Sequence, residues 1–113
     1  MQKRQLQMGE MVRRALAEIC LASAFHDPIL AGVSPTISSV VMSADLKNAS
    51  VFFVAAGREQ EKQVVVALNQ LVPFFKKNLA KKLDIRFIPH LRFIADDSFQ
   101  KAAHIETLLH HLK

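Results

Sequence analysis

The sequence predicts an α+β fold in the order helix, strand, strand, helix, kink, helix, strand, with a three-stranded sheet packed against helices and a C-terminal helix. Three observations lead there. Apolar residues recur at three- and four-residue steps in four stretches, the spacing that lines one face of a helix. Runs of β-branched and aromatic residues lie between those stretches, and the first two are joined by a polar turn, as in a hairpin. Pro73 interrupts the central helical pattern, because it lacks an N–H and clashes with the preceding turn.

In residues 5–24, Met8, Met11, Val12, Ala15, Leu16, Ile19 and Ala22 form the apolar stripe of the first helix. Glu10, Arg13, Arg14 and Glu18 fall off it. Glu10 and Arg14 make an i,i+4 pair in the favourable order, which contributes about 0.2–0.5 kcal/mol. His26-Asp27-Pro28 ends the helix, since a residue before proline is driven out of the α region. A loop then runs to Pro35.

Residues 36–42 (TISSVVM) and 49–56 (ASVFFVAA) read as the two strands of the hairpin, with residues 43–48 as its turn. In the second strand Val51, Phe53 and Ala55 share one face, and Phe52 and Val54 share the other. One face therefore requires helices over it. Phe52, on the other, is open to three roles: core, protein contact or base-stacking platform.

Glu59 and Glu61 suit the first turn of the next helix, where the macrodipole is positive. Val64, Val65, Leu68, Leu71 and Val72 form its stripe. The break is expected at Val72-Pro73, proline being well tolerated where a new helix begins. The restarted helix, residues 73–83, buries Phe75, Leu79 and Leu83 and turns Lys77 and Lys81 outward, with Lys76 and Lys82 beside them. A short strand over residues 91–95 follows. Ser98 is placed to cap a last helix through Ile105, Leu108, Leu109 and Leu112.

At 113 residues, half of them apolar and 22% charged, the chain has the size and composition of one folded domain, with its core in about residues 5–98 and the last helix in about 99–112. A single cysteine, Cys20, excludes an intramolecular disulfide and fits a reducing compartment; it reads as a small core residue. No apolar run approaches the roughly 20 residues that cross a bilayer, and no secretory h-region follows the basic N-terminus. Cytoplasmic location and no membrane partner are the expectations.

The residues offer little for catalysis. Gly9, Gly32 and Gly57 are too scattered for a phosphate-binding loop. The five histidines lack zinc-protease spacing, and His104 with His110-His111 reads more simply as a solvated helix end than as a metal site. Asp96-Asp97 is explained by a strand end and a helix cap. No enzyme activity, cofactor, metal or small-molecule substrate is expected.

Charge is the outstanding feature. Between Val72 and Arg92 stand Lys76, Lys77, Lys81, Lys82, Arg86 and Arg92 against one acid, Asp84, so this stretch alone matches the chain's formal net charge of +5. A solvated helix face ordinarily mixes signs, whereas four lysines without local acids repel one another. Such a face points to a polyanion, with nucleic acid foremost. Lys3, Arg4, Arg13 and Arg14 make a second basic region.

The element order resembles a type II KH domain, an RNA-binding fold whose helix junction normally carries a GxxG loop. That loop is missing here. A closer resemblance covers nearly the whole chain. Its residues are Asp27-Pro28-x-Leu30, Ser43-x-Asp45-Leu46-x-x-Ala49, Val51-Phe52-Phe53-Val54, Ala67-Leu68-Asn69, Phe74 through the basic helix to Leu83, Arg86-x-x-Pro89-x-Leu91-Arg92-Phe93 and Asp97-Ser98. In these the chain resembles bacterial ribosome-binding factor A. It departs from that pattern in having Leu71-Val72-Pro73 at the junction, where the family usually has A-x-G, and Ala44 where it usually has proline.

The resemblance implies a monomeric, non-catalytic ribosome assembly factor that binds the immature 30S subunit. It also implies help with folding and 5′ processing of the 16S rRNA precursor, often needed most in the cold. Two other classes compete. A DNA-binding helix-turn-helix would use base-reading Asn, Gln or Arg and sit among further helices. A protein-interaction module would dock a partner on Phe52 or a strand edge.

Overall fold

The computed structural model describes residues 2–22, 30, 35–55 and 61–96. In chain order these form α1 (Lys3–Ala22), β1 (Thr36–Met42), β2 (Asn48–Val54), α2 (Glu61–Gln70), α3 (Val72–Lys82) and β3 (His90–Ala95). The order is the expected one. The predicted helix stop at residues 26–28, the helix start at 57–59 and the C-terminal helix lie outside the described residues.

β1 pairs antiparallel with β2, and β2 pairs parallel with β3, so the sheet order is β1-β2-β3. A parallel neighbour requires a crossover, which α2 and α3 supply. The hairpin turn is held by its own side chains. Ser43 Oγ donates to Asp45 Oδ1 at 2.6 Å, and the same carboxylate oxygen accepts from the Lys47 N–H at 3.0 Å. These bonds, the one from Ser43 first, hold the Asp45 carboxyl below its usual range. They also accompany a left-handed backbone at Leu46 (φ 62°), a conformation that is uncommon outside glycine.

All three helices pack on one face of the sheet. The core is built from Val12 and Leu16 of α1, Val64 and Leu68 of α2, and Phe75 and Leu79 of α3, set against Ile37, Val51, Phe53 and Phe93. Three phenylalanines join the layers. The Phe75 ring centroid is 5.0 Å from that of Phe93, which in turn meets Phe53 edge-on at 6.5 Å. Such pairs contribute about 0.5–1.5 kcal/mol each beyond area burial. The opposite sheet face carries Ser39, Val41, Phe52, Val54, Arg92 and Ile94. There Val41 and Val54 are 40% and 49% exposed, and Phe52 is half-buried.

Two details of the helices differ from expectation. In α1, Met11 and Ala22 are exposed and Gly9 is buried, whereas Cys20 is buried as expected of a small core residue. A Cβ at Gly9 would lie 2.6 Å from the Val40 carbonyl oxygen, so only glycine permits this approach to β1. The stripe that faces the sheet is therefore centred near Gly9, Val12, Leu16 and Cys20. At 3.6 residues per turn, Met11 and Ala22 fall roughly 125–145° from its centre.

The second difference is the joint. It lies at Leu71 rather than at Val72-Pro73: Val72 opens α3 and Pro73 is its second residue. The Leu71 N–H donates to the Leu68 carbonyl at 3.0 Å, and the Leu71 carbonyl accepts from the Phe75 N–H at 3.0 Å. One residue with φ −93° and ψ 8° thus ends one helix and begins the next. Proline is admitted so early because the first four N–H groups of a helix have no intrahelical acceptor. There the preference against a helical residue before proline gives way.

Candidate nucleic-acid interface

Helix α3 has two sides of opposite character. Phe75 and Leu79 are fully buried, whereas Lys77 and Lys81 point to solvent and Lys76 is half-buried. Among the described residues Lys76, Lys77 and Lys81 make no ion pair. Lys82 Nζ reaches Glu18 Oε2 of α1 at 3.1 Å, which fastens the two helices together. Lys81 and Lys82 occupy the last turn, where cations complement the macrodipole. That gives part of the lysine cluster a structural reason, but it gives none for Lys76 and Lys77, nearer the N-terminal end.

The other basic residues fall into three places. Arg13 and Arg14 share one acid: Arg13 Nε donates to Glu10 Oε2 at 2.8 Å and Arg14 Nε to Glu10 Oε1 at 3.1 Å. These bonds, that of Arg13 foremost, bring the Glu10 carboxyl down to about 2. The trio carries only one net positive charge. Lys3 and Arg4 begin α1, where no acid offsets them and cations oppose the helix macrodipole. Arg4 lines a cleft with Arg86 of the α3–β3 connection. Arg92 stands apart: β3 buries Leu91 and Phe93, so Arg92 lies on the sheet face away from the helices.

The structure thus brings Lys76, Lys77, Lys81 and Lys82 together on α3 and Arg4 together with Arg86, and it leaves Arg92 separate. At the joint, Leu71 and Val72 are half-buried against the core and Pro73 is exposed. Two residues escaped the sequence reading. Phe87 is 74% exposed, and Lys47 lines the same cleft as Arg4 and Arg86. The available signal was an Arg-Phe dipeptide in a segment too short for helix or strand. Among the described residues no group of His, Cys, Asp and Glu is arranged to hold a metal ion. None of the described helices is long and apolar enough to cross a membrane.

With this geometry in view, comparison with known proteins is decisive. The sequence profile of ribosome-binding factor A matches residues 4–109. The chain belongs to the ribosome-binding factor A family. The ribosome-binding factor A of Phenylobacterium zucineum is 43% identical over 94% of this chain and 73% of its own length. That of Rhodopseudomonas palustris strain HaA2 is 41% identical over 94% of this chain and 78% of its own.

Solved ribosome-binding factor A structures share the KH-like α+β fold. The crystal structure from Thermus thermophilus superposes with a TM-score of 0.66 at 27% identity, over 80% of this chain and 94% of that one. A second Thermus thermophilus structure, fitted into the cryo-electron-microscopy map of a complex with the 30S subunit, gives 0.64 at 28% identity over 79% and 91%. Within this ribosome-binding factor A frame, the lysine face of α3 and the Arg4–Arg86 cleft are the chain's two concentrations of uncompensated positive charge among the described residues.

Proposed function

We propose that this chain binds the immature 30S ribosomal subunit through the lysine face of α3 and aids folding and 5′ end processing of the 16S rRNA precursor, most importantly in the cold. It acts without catalysis, cofactor or small-molecule substrate, as a cytoplasmic monomer in which residues 1–113 form a ribosome-binding domain. The observation that carries this reading is the burial of Phe75 and Leu79 on one side of α3, with Lys77 and Lys81 exposed on the other and making no ion pair among the described residues. Folded rRNA crowds phosphates, and a rigid helix presenting several lysines neutralises them without sequence readout.

Lys76, Lys82, Arg86, Arg4, Lys3, Arg13 and Arg14 extend the basic surface. Arg92 on the far sheet face would serve a separate contact. The Leu71-Val72-Pro73 joint sets the direction in which α3 leaves α2 and so aims its lysines.

Sedimentation of the tagged protein from lysate through sucrose gradients tests this directly. The protein should travel with small subunits at low salt and leave them at high salt. Three phosphate contacts imply a loss of affinity of roughly 20- to 40-fold between 50 and 200 mM salt. A profile confined to the lightest fractions at both salt concentrations overturns the proposal.

A further inference from the structure

We infer a second RNA contact, distinct from α3: Phe87 is a stacking platform for one unpaired nucleobase, whose neighbouring phosphate is held by Arg4 and Arg86. The inference rests on the proposed RNA-binding function and gives it a strand-selective part.

Phe87 is 74% exposed on the α3–β3 connection, although phenylalanine is usually among the more buried residue types. The segment that carries it is well held. The Leu83 N–H donates to the Leu79 carbonyl at 2.8 Å, and the His90 N–H donates to the Lys47 carbonyl at 2.8 Å. Pro89 is buried, and Leu83 and Ile88 pack against the core. An aromatic ring presented from such a segment loses little side-chain freedom on binding, which favours a stacking contact.

Phe87 lines two clefts, which also share Lys47. One, of about 420 Å³, has Arg4, Lys47 and Arg86 around it and Asp45 as its single acid. Three cations against that one carboxylate leave the cleft a net positive charge. The other, of about 360 Å³, sets Asn48 and His90 beside the ring. Both volumes lie in the range of small-ligand sites, roughly 300–1,000 Å³. The Arg86 guanidinium carbon sits 5.6 Å from the centroid, over the Phe87 ring, within cation–π range.

A nucleotide matches this layout. The base stacks on Phe87 with its edge toward Asn48 and His90, and the phosphate lies on the cationic side. Duplex RNA cannot supply that base, because its bases are already stacked and paired, so the site selects single-stranded or bulged RNA. The positive charge of Lys3 and Arg4 at the wrong end of a helix macrodipole acquires a purpose here.

The chain contains neither Trp nor Tyr, so Phe87→Trp introduces the only strong fluorophore. Saturable quenching of that variant by a short single-stranded RNA of mixed sequence, absent with the same RNA annealed as a duplex, is the expected result. Phe87→Ala should bind the single strand about tenfold more weakly, with an unchanged melting temperature because the ring is exposed.

Equal quenching by duplex, or undiminished single-strand binding by Phe87→Ala, overturns the inference. So does quenching by small-subunit proteins but not by RNA. If the unsubstituted protein sediments with small subunits while Phe87→Trp shows no RNA quenching, the platform fails and subunit binding stands. If Phe87→Trp is quenched by single strands but the unsubstituted protein never sediments with subunits, the platform stands and the proposed function fails.

Discussion

The side chain of Asn69 pairs with the main chain of Phe93 as a neighbouring strand would: Nδ2 donates to the Phe93 carbonyl at 3.0 Å while Oδ1 accepts the Phe93 N–H at 2.9 Å. Nδ2 also donates to the Val65 carbonyl at 2.9 Å. β3 is an edge strand, and an edge exposes unpaired polar groups that must be met or blunted. Asn69 meets two of them. It stands two residues before the joint and so ties the end of α2 to the sheet.

Asn69→Leu should therefore cost about 2–4 kcal/mol, since it leaves a part-buried donor and acceptor of Phe93 without partners. Urea unfolding followed by circular dichroism measures it. A loss below about 1 kcal/mol would mean that water replaces the amide there.

Gly9→Ala opposes two effects. Alanine raises intrinsic helix propensity by about 1 kcal/mol. Its Cβ would meet the Val40 carbonyl oxygen at 2.6 Å, and that oxygen belongs to strand backbone, which yields poorly. The expected outcome is net destabilisation of about 1–3 kcal/mol, read as a lower melting temperature. A stabilised variant would show that α1 shifts freely on β1.

Pro73→Gly tests the joint. Because Pro73 is the second residue of α3, its missing N–H forfeits no helical hydrogen bond. Glycine should lower stability by about 1 kcal/mol, chiefly by loosening the unfolded chain, and leave small-subunit binding within a few fold in co-sedimentation. A binding loss above about tenfold at unchanged melting temperature would assign the proline a role in aiming α3.

Lys77→Glu combined with Lys81→Glu reverses charge at two exposed sites whose side chains make no ion pair among the described residues. The double variant should stay folded, at a cost of about 0.5 kcal/mol for an acid in the last turn of α3. It should also lose co-sedimentation with small subunits. Retained binding would move the interface off this helix.

Much of the fold was legible in the residues. Short-range rules govern the hairpin, whose turn from Ser43 to Asn48 closes on its own hydroxyl and carboxylate, and the stripes of α2 and α3, whose buried members include the expected Val64, Leu68, Phe75 and Leu79. The lysine face was legible for the same reason: helical periodicity alone turns Lys77 and Lys81 away from Phe75 and Leu79. The rotation of α1 was not, because a close approach between Gly9 and Val40 decides it, and those residues are far apart in sequence.

The element order, the position of the hairpin, the approximate place of the helix break and the concentration of positive charge on α3 are all written in the chain. Each follows from propensity and periodicity within a dozen or so residues. Only the folded arrangement settles that β3 joins β2 in parallel, that Asn69 completes its edge, that Lys82 is engaged by Glu18 and that Arg92 faces away from the lysines. It also brings Arg4 to Arg86 and leaves Phe87 exposed, lining two clefts. Those relationships depend on chain closure across tens of residues, where the packing of whole elements rather than any local preference sets which side chains meet.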